Sequence, residues 1–122
     1  MSSTALLLIA HGSRRAEANA DLEHLANVIR NRGEFAVVVP SYLELCEPSI
    51  AAGGDRCVAA GAKKVVLLPY FLSAGMHVME DLTAARDDLA KRHPPVEFVL
   101  AEPLGRHPLL VQIVLERARG VL

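Results

Sequence analysis

The residues best placed to do chemistry in this 122-residue chain are histidines and acids that follow short apolar runs. His11-Gly12-Ser13-Arg14-Arg15 follows the first run, and Glu44, with Glu47 three residues on, follows the second. Phe71-Leu72-Ser73-Ala74-Gly75-Met76-His77, then Glu80 and Asp81, follows the third, and Glu102-Pro103-Leu104-Gly105-Arg106-His107 follows the fourth. Three of the five histidines therefore come just after such runs. Imidazole suits the later divalent first-row ions, and a carboxylate adds compensating charge. Brought together, His11, His77 and Glu44 would make an incomplete metal site, and open coordination positions let a substrate reach the ion. Each residue alone has a plainer role open to it. His11 could order its turn, Glu44 could be solvated or cap the next helix, and Glu80 and Asp81 suit a first helical turn.

The elements that must position these residues are legible from hydrophobic spacing. The apolar runs are Ala5 to Ala10, Phe35 to Val39 with an extension towards Leu45, Lys64 to Tyr70, and Val96 to Ala101. The first three are nearly continuous in Leu, Ile and Val, the pattern of parallel strands covered on both faces. Between them the spacing is helical. Ala18, Leu22, Leu25, Ala26 and Ile29 share a face of a first helix that stops at Gly33. A second helix is expected from near Pro48, a residue favoured in first turns, to Gly61. A third carries Leu82, Ala85 and Leu89 and ends before Pro94-Pro95. A fourth starts near Pro108 and carries Leu110, Ile113, Val114 and Leu115. Gly53-Gly54 inside the second helix costs about 1 kcal/mol per glycine relative to alanine, which points to close packing or a break.

The order β-α-β-α-β-α-β-α predicts a single α/β domain over residues 1–122. It is a three-layer fold with a four-stranded parallel sheet and helices on both faces. In such sheets ligands bind outside the carboxyl ends of the strands, which is the rule that gathers the polar residues named above. His24 and His93 fall on helices instead and are expected to be structural.

Composition narrows the function. Apolar residues make up 52% of the chain and aromatics 4%, so the core is aliphatic and a disordered chain is excluded. A net charge of −1 argues against a general nucleic-acid binder. No G-x-G-x-x-G or P-loop pattern is present, so dinucleotide and P-loop chemistry fail. Histidine phosphatases place an arginine before their histidine, where this chain has Ala10. Cys46 and Cys57 form no C-x-x-C pair and are expected to be buried, reduced thiols. The N-terminal run lacks a basic flank and is too short to span a bilayer, so the cytoplasm is the expected location.

Four stretches resemble the sirohydrochlorin chelatases, the CbiX/SirB group of class II chelatases. They are Leu8-Ile9-Ala10-His11-Gly12-Ser13-Arg14; Tyr42-Leu43-Glu44-Leu45 with Glu47-Pro48-Ser49; Pro69 to Asp81, which follows the pattern P-x-F-L-x-x-G-x-H-x-x-x-D; and Glu102 to Pro108. The resemblance spans nearly the whole chain. It implies a chelatase-like fold and insertion of Co2+, Fe2+ or Ni2+ into sirohydrochlorin, towards cobalamin, sirohaem or a nickel tetrapyrrole. It implies that His11 and His77 contact the metal, that Glu44 assists, and that no organic cofactor is needed. The length resembles the short form, which pairs as a homodimer; a wide, flat macrocycle would be enclosed by two such lobes. Ser13, Arg14, Leu72, Ser73, Ala74, Gly75 and Met76 are expected to meet the substrate. Arg14, with Arg15 and Arg106, suits its carboxylates, and Gly75 allows close backbone approach. The alternative is a metal or tetrapyrrole carrier that does no chemistry; a third reading is an inactive lobe that supports a partner chain.

Overall fold

The computed structural model describes residues 3–122. Its strands are β1 (Thr4–Ala10), β2 (Val37–Tyr42), β3 (Lys64–Pro69) and β4 (Glu97–Leu100). Its helices are α1 (Ala16–Arg32), α2 (Ile50–Ala59), α3 (Met76–Arg92) and α4 (Pro108–Arg119). The four strands form one parallel sheet in the order β2-β1-β3-β4. The chain thus lays β2 on one side of β1 and β3 on the other. That reversal opens a crevice at the carboxyl ends of the strands, between the loops that leave β1 and its neighbours.

Alternation along the strands divides the core in two. Ala5, Leu7 and Ile9 of β1, with Val39, Val65 and Leu67, pack against Ile50 and Cys57 of α2 and Leu82 and Leu89 of α3. Leu6 and Leu8, with Val38 and Tyr42, pack against Leu22 and Ala26 of α1. Helices therefore cover both faces, as the apolar runs predict. The cover is uneven, because α4 buries none of its residues. Beneath it a cavity of about 640 Å³ runs between Leu6, Leu8 and Leu68 of the sheet, Leu25 and Ile29 of α1, and Leu110 and Ile113 of α4. Among the described residues no helix is long and apolar enough to cross a membrane.

The glycine pair in α2 does not break the helix. A Cβ on Gly53 would lie 2.8 Å from Leu7 Cδ1, and one on Gly54 would lie 2.6 Å from Leu89 Cδ2. The two glycines let α2 sit directly on β1 and on α3. Several boundaries differ from those expected. β2 ends at Tyr42 rather than reaching Leu45, which takes a left-handed conformation with φ of 65°. Pro48 lies outside α2, after a cis peptide bond, and Ser49 caps the helix by accepting from Ala52 N at 3.1 Å. His77 is the second residue of α3 rather than part of the preceding turn, which moves Glu80 and Asp81 into the second turn. Cys57 is fully buried, but Cys46 is only partly so.

Candidate functional site

The parallel ladder does not stop where β2 ends. Leu43 N donates to Ala10 O at 3.0 Å and Glu44 N donates to His11 O at 3.1 Å. The loops carrying His11 and Glu44 are thus zipped together by backbone hydrogen bonds. Gly12 makes this possible. Its φ is +94°, and a Cβ there would penetrate the Glu44 carbonyl oxygen. On the other flank Tyr70 N donates to Ile9 O at 2.7 Å, which brings the loop after β3 alongside. The His11 imidazole meets the ring of Phe71 edge to face, with centroids 4.9 Å apart. Leu104 N then donates to Phe71 O at 2.9 Å and adds the loop after β4. Four strand ends are laced into one rim.

His11 stands between two cavities. On one side, about 370 Å³ is lined by His11, Glu44, Asp81, Leu43, Ile50 and Val78. An imidazole and two carboxylates thus face an opening whose remaining walls are aliphatic. On the other side, about 240 Å³ is lined by His11, Ser13, Asn19, Asp21, Tyr42 and Tyr70, among others.

His77 lies on the first turn of α3 with 96% of its side chain exposed, and its Nδ1 is 4.0 Å from Glu80 Oε2. It does not line the cavity that His11 and Glu44 share. Among the described residues no three His, Cys, Asp or Glu side chains are grouped closely enough to hold a metal ion as they stand.

The expected substrate residues are distributed around the rim. Leu72 and Met76 are 68% and 76% exposed, so two large apolar side chains project from the loop after β3. Ser73, Ala74 and Gly75 lie between them, and the Gly75 backbone caps α3. The Ser13 hydroxyl accepts from Arg15 N at 3.1 Å, which orders its own turn. Arg14, Arg15 and Arg106 have no ion-pair partner among the described residues. His107 caps α4, its Nδ1 accepting from Leu109 N at 3.1 Å. Two residues stand closer to His11 than the sequence indicated. Asp81 has one available signal, its place one helical turn after His77. Asn19 has none, because a polar residue early in a helix looks solvated.

A doubly wound parallel sheet with an imidazole and two carboxylates lining a cavity at its carboxyl edge defines an α/β protein with its polar groups gathered where such sheets bind ligands. The chain belongs to the CbiX family, whose model matches residues 5–121. It is 36% identical over 117 residues to a chloroplastic sirohydrochlorin ferrochelatase of Arabidopsis thaliana, covering 96% of this chain and 52% of that protein. It is 30% identical over 138 residues to a sirohydrochlorin cobaltochelatase of Methanopyrus kandleri, covering 97% of this chain and 96% of that one. Among solved structures it matches the sirohydrochlorin chelatase SirB of Bacillus subtilis subspecies spizizenii in complex with cobalt, with a TM-score of 0.89 and 27% identity. The match covers 99% of this chain and 51% of SirB. The chain thus spans about half the length of some relatives and nearly all of another.

Proposed function

We propose that this protein is a sirohydrochlorin chelatase, which inserts Co2+, Fe2+ or Ni2+ into a sirohydrochlorin-type tetrapyrrole. The observation that carries the reading is the cavity shared by His11 and Glu44 at the edge of the sheet. The reaction replaces two pyrrole N–H protons by the ion: M2+ plus the free macrocycle gives the metallated macrocycle plus two protons. No electron changes hands, so no organic cofactor is required.

In this reading His11 and His77 are the metal ligands. His11 is held by its rim, whereas the exposed His77 is free to rotate from Glu80 towards an arriving ion. Ligation needs neutral imidazole, so insertion slows in acid. Glu44 is either a third ligand or a proton acceptor. The exposed Leu72 and Met76 lie against the macrocycle, with the Ser73-Ala74-Gly75 backbone approaching it closely. Arg14, with Ser13 beside it, receives the peripheral carboxylates.

The protein works in the reducing cytoplasm, where its two unbridged thiols persist. A second copy of the chain completes the enclosure of the macrocycle. The support for pairing is that SirB has about twice this length and that α4 leaves Leu109, Val111, Ile113, Val114 and Leu115 uncovered.

The test is an anaerobic insertion assay with sirohydrochlorin and each of the three metals, followed by absorption. Acceleration over the protein-free reaction is expected with at least one metal. Tight binding of metal and macrocycle with no acceleration would leave a carrier instead. Glu44→Gln separates the two roles of that residue: lost Co2+ affinity marks a ligand, and kept affinity with a lost rate marks the proton acceptor. An unchanged rate in His77→Ala would remove His77 from the site.

A further inference from the structure

We infer that Asn19 is the positioning residue of the metal site, setting the loop that carries His11 through a two-point amide clamp on Ser13. The inference deepens the chelatase reading and rests on it. Asn19 is the fourth residue of α1 and half-buried. Its Oδ1 accepts from Ser13 N at 2.9 Å and its Nδ2 donates to Ser13 O at 2.7 Å. One planar amide thereby satisfies both backbone groups of one residue, as a neighbouring strand would. The Asn19 backbone carbonyl in turn accepts from the hydroxyl of Tyr42 at 3.1 Å. Tyr42 is a fully buried core residue, the last of β2 and two residues before Glu44.

The loop is therefore gripped at both ends. Glu44 holds it at His11 through the backbone, and Asn19 holds it at Ser13. Among the described residues, no other hydrogen bond holds the Ser13 backbone. The cap residue of α1, Arg15, makes no side-chain cap, and the Ser13 hydroxyl receives only Arg15 N. Without the clamp, His11 would hang from one anchored side and wander relative to Glu44. Groups that orient a metal ligand from behind typically change metal affinity or activity by about 10- to 100-fold when removed.

The experiment titrates the whole protein with Co2+ alone, then measures insertion into sirohydrochlorin. Asn19→Ala should weaken Co2+ binding about tenfold and lower kcat by a similar factor. Asn19→Asp keeps the acceptor for Ser13 N but sets a carboxylate oxygen against Ser13 O, so it should lower both at least as far as Asn19→Ala. Ala26→Gly weakens the same helix two turns further on without touching the clamp. It should lower the melting temperature yet leave Co2+ affinity and kcat unchanged. Should Asn19→Ala not fold, Asn19→Asp alone decides. A folded Asn19 variant with wild-type Co2+ affinity and kcat would overturn the inference, and so would loss of both in Ala26→Gly. Absence of insertion by the wild-type protein would instead remove the chelatase reading on which the inference stands.

Discussion

Gly12 decides how close His11 and Glu44 come. A side chain there would need a left-handed backbone and would penetrate the Glu44 carbonyl, so the two loops would have to part. Gly12→Ala is expected to cost about 1–3 kcal/mol in a urea melt. It should also abolish Co2+ binding, because the grip on His11 is lost. Cys57 gives a second check at this scale. Burial pushes its thiol up to about 11, so at pH 8 it is a thiol rather than a reactive thiolate. A native protein should label at Cys46 alone, and at both cysteines in denaturant; labelling of both in the native state would mean that α2 does not sit on the sheet as described. That His11 and Glu44 share one edge was legible in the sequence, because both follow strands of a parallel sheet. The rotamer of His77 was not, since spacing places a backbone and says nothing of χ angles. Asn19 was invisible for another reason: its partners are the backbone groups of Ser13, which carry no signature in the sequence.

The elements were easier to read than the contacts between them. Buried parallel strands need apolar side chains on both faces, and β1 and β3 announce this by runs such as ALLLIA. Glycines at 53 and 54 signalled a close approach without saying to what. The partners, Leu7 on β1 and Leu89 on α3, depend on which strands α2 crosses. In a solvated helix Gly→Ala stabilises by about 1 kcal/mol. Gly54→Ala should do the opposite, because Leu89 is fully buried and cannot swing away. A net loss of about 1–3 kcal/mol in the urea midpoint is expected. The same two helices are pinned at one end by Asp55 of α2, which is bonded to His93 at 2.8 Å and to Arg92. The hydrogen bond from His93 and then the Arg92 guanidinium hold the Asp55 carboxyl below its usual 3.8. A depressed carboxylate stabilises the fold fully above its unfolded-state value and loses that contribution as pH falls through the lower folded value. Asp55→Asn should therefore lower the melting temperature by roughly 2–4 °C at pH 7, less in high salt because the pair is half-exposed. The difference should shrink below pH 3.8 and vanish once the folded carboxyl is protonated too. A difference that persisted there would assign the effect to packing.

At the scale of the whole molecule the open question is what covers α4. Hydrophobic spacing predicted that helix, and it forms, but spacing cannot say whether its apolar arc meets its own sheet or another surface. Leu110 and Ile113 face the cavity over Leu6, Leu8 and Leu68, while Val111, Val114 and Leu115 are exposed. Three such side chains in water are a poor surface for a lone lobe and a good one for a pair. SirB, at about twice this length, has room for two lobes in one chain, which is one ground for the pair proposed above. The proposed pair makes a definite prediction. Sedimentation should give a dimer, and Val114→Glu, which sets a charge among those side chains, should give a folded monomer. That monomer should still bind Co2+, because His11 and Glu44 come from one chain. Its insertion rate should fall, because Leu72 and Met76 of a single lobe cover only one part of a flat macrocycle. A Val114→Glu protein that stayed dimeric would move the contact away from α4. A monomer with full activity would show that one lobe suffices, and the macrocycle would then have to lie open to solvent on the side away from Leu72.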